Sequence, residues 1–289
     1  NIGLHPYWDG PEDDDDFTRA LAAGDYDWSE LSTPGFEVHS QLTKMRKSME
    51  NENFPSAKAV SDATMRYVHN FPHVLAGFQG PGIDVVPEIH DFAENKGYSI
   101  DSIDMVKHMN ADQATCGYGC SGNPYDAYWN FNPVGHGDIH ELGHGLEKGR
   151  FRFAGWEGHA STNPYSYYTK SQFHKDTGND PSCQSLPFDD LLQTLQASQL
   201  SEDPFAFMQS ANLTGWSQGM AIYIQMIMAA QHQGVLENGW HLLARLHIYD
   251  REFNRAIKSD EAWLEKRDSL GLGFYDLASA KALNNNDWL

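Results

Sequence analysis

The sequence predicts an α+β fold, and three observations carry the prediction. Apolar residues recur at helical steps between Ser40 and Asn70. Short strand-like runs and Gly/Asn/Pro-rich loops alternate up to about residue 131. From Pro187 onward the chain reads as helix almost throughout.

Taken in order, residues 1 to 36 read as a peripheral segment, punctuated by Pro6, Gly10, Pro11, Pro34 and Gly35. The acidic run Glu12 to Asp16 reads as a solvated loop, without the spaced ligands and glycine of a calcium loop. Leu42, Met45 and Met49 predict a helix, and Ala59, Ala63, Tyr67 and Phe71 predict a second that ends at Pro72. A third helix spans Pro87 to Asn95 and stops at Gly97. Strands are expected near Val74 to Phe78, Val106 to Met109 and Tyr128 to Phe131, with Cys116 to Asp126 as a loop. Leu191, Leu192, Leu195 and Leu200 predict one late helix, followed by Trp216 to Gln231, Trp240 to Ile257 and Ser259 to Ser269. This reading divides the chain into the segment 1–36, a catalytic subdomain over 37–186 and a helical subdomain over 187–289.

The chain has 289 residues, 40% hydrophobic and 12% aromatic, enough to bury a sizeable core. Its net charge is −20, which repels phosphate backbones and argues against nucleic acid or an anionic membrane surface as partner. No apolar run reaches the roughly 20 residues of a membrane helix, so no membrane insertion is expected. The chain opens on Asn1 without an initiator Met and reads as a fragment or a mature product. Cys116 and Cys120 flank a short loop that could close a small disulfide; Cys183 is the alternative partner for either. Extracellular oxidation is the favoured reading.

The chemistry concentrates in His140-Glu141-Leu142-Gly143-His144. Asp138 is a suitable N-cap, Ile139, Leu142 and Leu146 give an apolar stripe, and Gly149 is a natural stop, so the run is expected on a helix. Four residues on a helix place two imidazoles on one face about 6 Å apart along the axis. Two such rings can converge on one zinc ion. Glu141 is rotated out of that ligand pair and is placed to act as general base. A third protein ligand is needed. The metzincin pattern is excluded because Glu147 and Arg150 stand where it requires Gly and His. Glu147 lies about 10 Å along the axis from His140, too far to share its metal. Glu157, after the excursion Gly149 to Gly155, is the preferred third ligand, and His159 is its rival.

Gly135 to His144 followed by Trp156-Glu157-Gly158-His159-Ala160-Ser161-Thr162-Asn163, with Tyr165 and Ser166 beyond, resembles the M60-like, enhancin-type zinc metallopeptidases. Asn110 to Tyr125 resembles the Gly-Tyr-Pro loop that precedes their catalytic helix. Within that family the wording is nearest to the peptidase domain of accessory colonization factor D and related secreted surface-associated mucinase lipoproteins. The resemblance covers roughly residues 55 to 280 and is strongest over 105 to 170. It implies a zincin-like core with Zn2+ on His140, His144 and Glu157, Glu141 as base, mucin-type glycoproteins as substrate and a secreted or bacterial surface location. Pro164 departs from the family pattern and puts in question how far the helix after Glu157 continues.

Tyr165, Tyr168, His159 and His136 are the candidates for an extra donor to the reacting oxygen, and Asp138, Glu147 and Asn163 for orienting the histidine rings. Tyr125, Tyr128 and Trp129 are candidates for sugar contacts, against an ordinary aromatic core. Two rival functions stand beside the endopeptidase: a glycan- or mucin-binding adhesin module without turnover, and a zinc enzyme acting on a cell-wall peptide.

Overall fold

The computed structural model describes residues 5–104, 107–110, 129–146, 158–183, 186–211, 216–256 and 259–269. The sequence readings on Cys116, Cys120, Tyr125, Tyr128, Glu147, Gly149, Trp156 and Glu157 lie outside the described residues. The chain forms two compact units. One comprises Asn1–Val85, Ser102–Leu146 and Thr162–Gln184, the other Val86–Asp101, Glu147–Ser161 and Ser185–Leu289.

The first unit is built on a four-stranded sheet. Its strands are β1 (Tyr7–Trp8), β2 (Trp28–Ser32), β3 (Phe36–Gln41) and, after two-residue strands β4 (Phe78–Gln79) and β5 (Asp101–Ser102), β6 (Lys107–Asn110). β2 and β3 pair antiparallel, with Leu31 opposite Val38, while β1 and β6 add parallel on either side. Burial alternates along both central strands: Ser29 and Leu31, then Phe36, Val38 and Ser40, turn inward. This period of two is what a sheet covered on one face requires.

Helix α1 (Asp14–Ala23) follows a 3-10 turn at Pro11–Asp13 and buries Phe17 and Leu21. The acidic run therefore is not a loop. Asp14 to Asp16 occupy the first turn of a helix, where the macrodipole favours carboxylates, and Asp14 also accepts the Trp8 indole N–H at 2.7 Å. Strand β2 likewise falls inside the segment expected to be peripheral.

Helix α2 spans Leu42–Met49, and α3 spans Ala57–Ala63 with Ser56 as N-cap, its hydroxyl accepting the Ala59 N–H at 3.1 Å. α3 runs on through a π-helical stretch, Thr64–Asn70, into α4 (Phe71–Leu75). Pro72 thus does not end the helix. The Phe71 N–H already bonds back to Arg66, the wider π register, and that shift accommodates the proline ring without a clash in the preceding turn. Val74 and Leu75 close this helix, so the strand expected from Val74 is reduced to Phe78 and Gln79. A continuous apolar run has no period with which to choose between the two states. Residues 129–131, the described part of the third expected strand, are not in a strand either.

In the second unit, α5 (Pro87–Lys96) begins with proline at N1 and ends at Gly97, φ 68°, as expected. Past α6 (His136–Leu146) of the first unit and α7 (Gly158–Thr177), the chain adds to the second unit α8 (Phe188–Ser198), α9 (Pro204–Ser210), α10 (Trp216–His232), α11 (His241–Ala256) and α12 (Asp260–Ser269). Leu191 of α8 and Ala221 of α10 form a buried contact. Leu200 lies beyond the end of α8 and is exposed. α9, capped by Asp203 on the Ala206 N–H at 2.9 Å, was not read from the sequence. α11 packs on α5, where the Glu88 carboxylate accepts the backbone N–H groups of Glu237 and Asn238 and the His241 Nδ1–H at 2.5 Å.

Candidate metal centre

Helix α6 spans His136–Leu146 and packs against α4 and the π-helical stretch. It begins three residues earlier than the N-cap reading of Asp138 required. Gly135 takes the cap position, its carbonyl accepting the Ile139 N–H at 3.3 Å. Asp138 instead lies in the first turn, buried, and accepts the Trp129 indole N–H at 3.2 Å and the Asn132 N–H at 3.4 Å. It ties the loop 129–135 to the helix. Gly137 sits under the Trp129 ring, where a Cβ would meet the indole at 2.3 Å.

Helix α7 spans Gly158–Thr177 and continues through Pro164. Its inner positions carry Thr162, Asn163 and Ser166, all buried. Each faces a histidine of α6. The His140 Nδ1–H donates to the Asn163 carbonyl oxygen at 2.7 Å, His144 Nδ1 meets the Thr162 hydroxyl at 3.2 Å, and His136 Nδ1 meets the Ser166 hydroxyl at 3.0 Å. The close approach depends on Gly143, whose missing Cβ would lie 2.8 Å from the Thr162 methyl and 2.9 Å from the Tyr165 ring.

This arrangement decides which nitrogens can bind a metal. With Nδ1 of His140 donating to Asn163, its Nε2 carries the lone pair. The His140 and His144 ring centroids are 4.7 Å apart, edge to face. One ring nitrogen each of His140, His144 and His159 lies within 4.8 Å of the others. His159 stands on the first turn of α7, on the same continuous helix as Thr162 and Asn163. The donor set, three imidazoles of which His140 and His144 are oriented through Nδ1, fits a divalent transition metal. Glu141 lies between the two histidines on α6 and is partly exposed.

The remaining candidates separate by environment. Tyr165 is buried beneath Gly143, and Tyr168 is buried edge-on to Phe71, with burial pushing its phenol far up. His136 is half-buried, and burial together with the nearby Lys170 charge holds its imidazole below the ordinary histidine range. Its ring stacks on His140 at 5.6 Å. Asn163 was among the ring-orienting candidates and takes that place. Thr162 and Ser166 were named in the sequence without these roles, although the spacing of His136, His140 and His144 was a visible signal.

A helix-borne histidine pair, each ring buttressed from a second helix, is an arrangement able to hold a divalent metal ion. The resemblance to the M60-like metallopeptidases is carried by comparison with known proteins. No family model matches the chain. The immunomodulating metalloprotease of Pseudomonas aeruginosa is 28% identical over 293 residues, spanning 95% of this chain and 31% of that protein. Solved structures of IMPa metallopeptidase in complex with T-antigen and of IMPa from Pseudomonas aeruginosa in complex with an O-glycopeptide superpose with TM-scores of 0.73 and 0.72. Both are 25% identical, over 98% of this chain and 34% of theirs. A conserved protein from Bacillus anthracis of unknown function shares the fold at TM-score 0.52 and 16% identity, over 97% of this chain and 56% of its own. The chain thus spans about a third of the length of its metallopeptidase relatives. Among the described residues no helix is long and apolar enough to cross a membrane.

Proposed function

We propose that this chain is the catalytic domain of a secreted or surface-associated zinc endopeptidase that cleaves mucin-type glycoproteins. The observation that carries the proposal is the pair His140 and His144, one turn apart on α6, each with Nδ1 engaged by α7 and a third ligand atom close by. A zinc ion held there would polarise the scissile carbonyl and acidify an attacking water. Glu141 would serve as the base that accepts a proton from the attacking water and passes it to the leaving amine. Glu157, which the family resemblance makes the third ligand, precedes α7 by one residue, and His159 is the alternative. The substrate class is supported by the T-antigen and O-glycopeptide bound to the relatives.

Metal analysis and cleavage tests decide it. The wild type should bind one zinc and cleave an O-glycopeptide, with chelator abolishing cleavage and zinc restoring it. Glu157→Ala should lose zinc while His159→Ala keeps it; the reverse result transfers the ligand to His159. Zinc-loaded protein that binds mucin glycopeptides but never cleaves them would establish the adhesin reading instead, and cleavage of cell-wall peptides alone the other rival.

A further inference from the structure

We infer that His136 is a substrate-facing residue of this site, donating a hydrogen bond from Nε2 to the oxygen that develops negative charge at the scissile carbonyl; the inference rests on the peptidase reading above. Of the four donor candidates, the Tyr165 ring is packed against Gly143 and the Tyr168 ring against Phe71, and His159 belongs to the ligand cluster. His136 remains, and three features of its setting agree.

First, direction. The His136 and His140 rings lie one helical turn apart on α6, with planes inclined by 26° and centroids 5.6 Å apart. Both present Nδ1 to α7, His136 to Ser166 and His140 to Asn163. Two nearly parallel imidazoles anchored by the same nitrogen on the same neighbouring helix project their Nε2 atoms the same way. His140 projects its Nε2 at the metal position, so His136 projects its own alongside, about one turn toward the N-terminus.

Second, satisfaction. The Nε2 atom of His136 is buried and has no hydrogen-bond partner among the described residues. A packing role against His140 needs only a flat apolar ring, and a phenylalanine would fill it without stranding a polar atom. A buried polar atom kept without a partner at a reaction centre marks a place for a ligand atom.

Third, tautomer. Ser166 is buried against His136. When its hydroxyl donates to Nδ1, the neutral ring carries its proton on Nε2, the form that can donate to an oxyanion. No proton leaves the ring in this role, and the hydrogen bond strengthens as charge builds on the oxygen.

The test compares wild type, His136→Phe, His136→Gln and Ser166→Ala, each zinc-loaded, in binding two probes. A phosphinic peptide presents a second, charged tetrahedral oxygen; a thiol peptide of matched length presents only a single sulfur to the metal. His136→Phe should lose roughly 100-fold in affinity for the phosphinic peptide, with zinc content and thiol affinity unchanged. His136→Gln should recover part of the loss through its amide, and Ser166→Ala should show a smaller loss of the same pattern. In cleavage, kcat should fall with KM little changed. Equal losses for both probes, or loss of zinc, would show that His136 merely props His140 and overturn the inference. So would full phosphinic affinity in His136→Phe. Should His136→Phe fail to fold, the ratio of the two affinities in His136→Gln and Ser166→Ala decides in the same way. Wild-type protein that holds zinc and discriminates between the probes but cleaves no peptide would count against the peptidase reading and leave the His136 contact standing.

Discussion

At the residue scale the site is a matter of hydrogen-bond direction. Asn163 Oδ1 accepts the Nδ1–H of His140 at 2.7 Å, which leaves the ring's lone pair on Nε2, the atom the proposed function assigns to the metal. Asn163→Ala removes that constraint, and zinc affinity should fall about 10- to 100-fold, measured by chelator competition. Unchanged affinity would mean that packing alone orients the ring. Glu141→Gln keeps shape and removes the base. Zinc content should stay the same while turnover drops at least about 100-fold; a variant that still cleaves at wild-type rate would remove Glu141 from proton transfer. Asn163 was legible in the sequence only as one of three ring-orienting candidates, while the role proposed for Glu141 rests on its place in the motif. Asp138, which shared that list, accepts from Trp129 and Asn132.

At the element scale the decisive feature is the closeness of α6 and α7. Gly143 sets it, since any Cβ there meets Thr162 and Tyr165 below 3 Å. Gly143→Val should separate the helices, destabilise the domain by roughly 1–3 kcal/mol and weaken zinc binding in step. Calorimetry and metal analysis check both; a variant of normal stability and zinc content would show that α7 can retreat without disturbing its contacts. Strong periodicity and caps made α5, α10, α11 and α12 readable to within a few residues. The failures share a cause. The acidic run looked solvated because Glu12, Asp15 and Asp16 are exposed, yet Phe17 and Leu21 behind it are held by the unit's core. Pro72 looked terminal because the π turn that accommodates it has no sequence signature. The helix-period and strand-period readings of Val74 to Phe78 were equally compatible with an unbroken apolar run.

At the scale of the whole molecule, stability should depend on both metal and pH. A ligand that binds only the folded state stabilises it by mass action, about 2.7 kcal/mol at 100 times Kd. Chelation should therefore lower Tm by several degrees, and zinc should restore it; a Tm indifferent to chelator would place the metal on a site uncoupled from folding. Asp176 pairs with the Arg66 guanidinium and accepts the Tyr67 hydroxyl, and Arg66 first among these holds its carboxyl below the usual range. A carboxylate with a depressed folded pKa contributes stability above its unfolded pKa and loses it as pH falls through the folded value. Arg66→Met should thus be less stable than wild type near neutrality, and the gap should close in acid, below about pH 4. The pair is partly exposed, so the effect is modest and shrinks with salt. A constant gap across the pH range would show that Arg66 acts through its packing over Phe71 instead.

The sequence by itself determined the helix on which His140, Glu141 and His144 stand, because they are related by local geometry that holds wherever a helix forms. It determined the α+β class and most of the later helices for the same reason: periodicity and capping act within a few residues. Only the tertiary structure decided that Nδ1 of His140 faces Asn163 and that Nδ1 of His136 faces Ser166. It likewise decided that Thr162, Asn163 and Ser166 are the groups responsible. Those residues are 18, 23 and 30 positions from their histidines. Contacts at that range exist only once two helices have packed, and their distance is set by a glycine's missing side chain, not by any spacing along the chain.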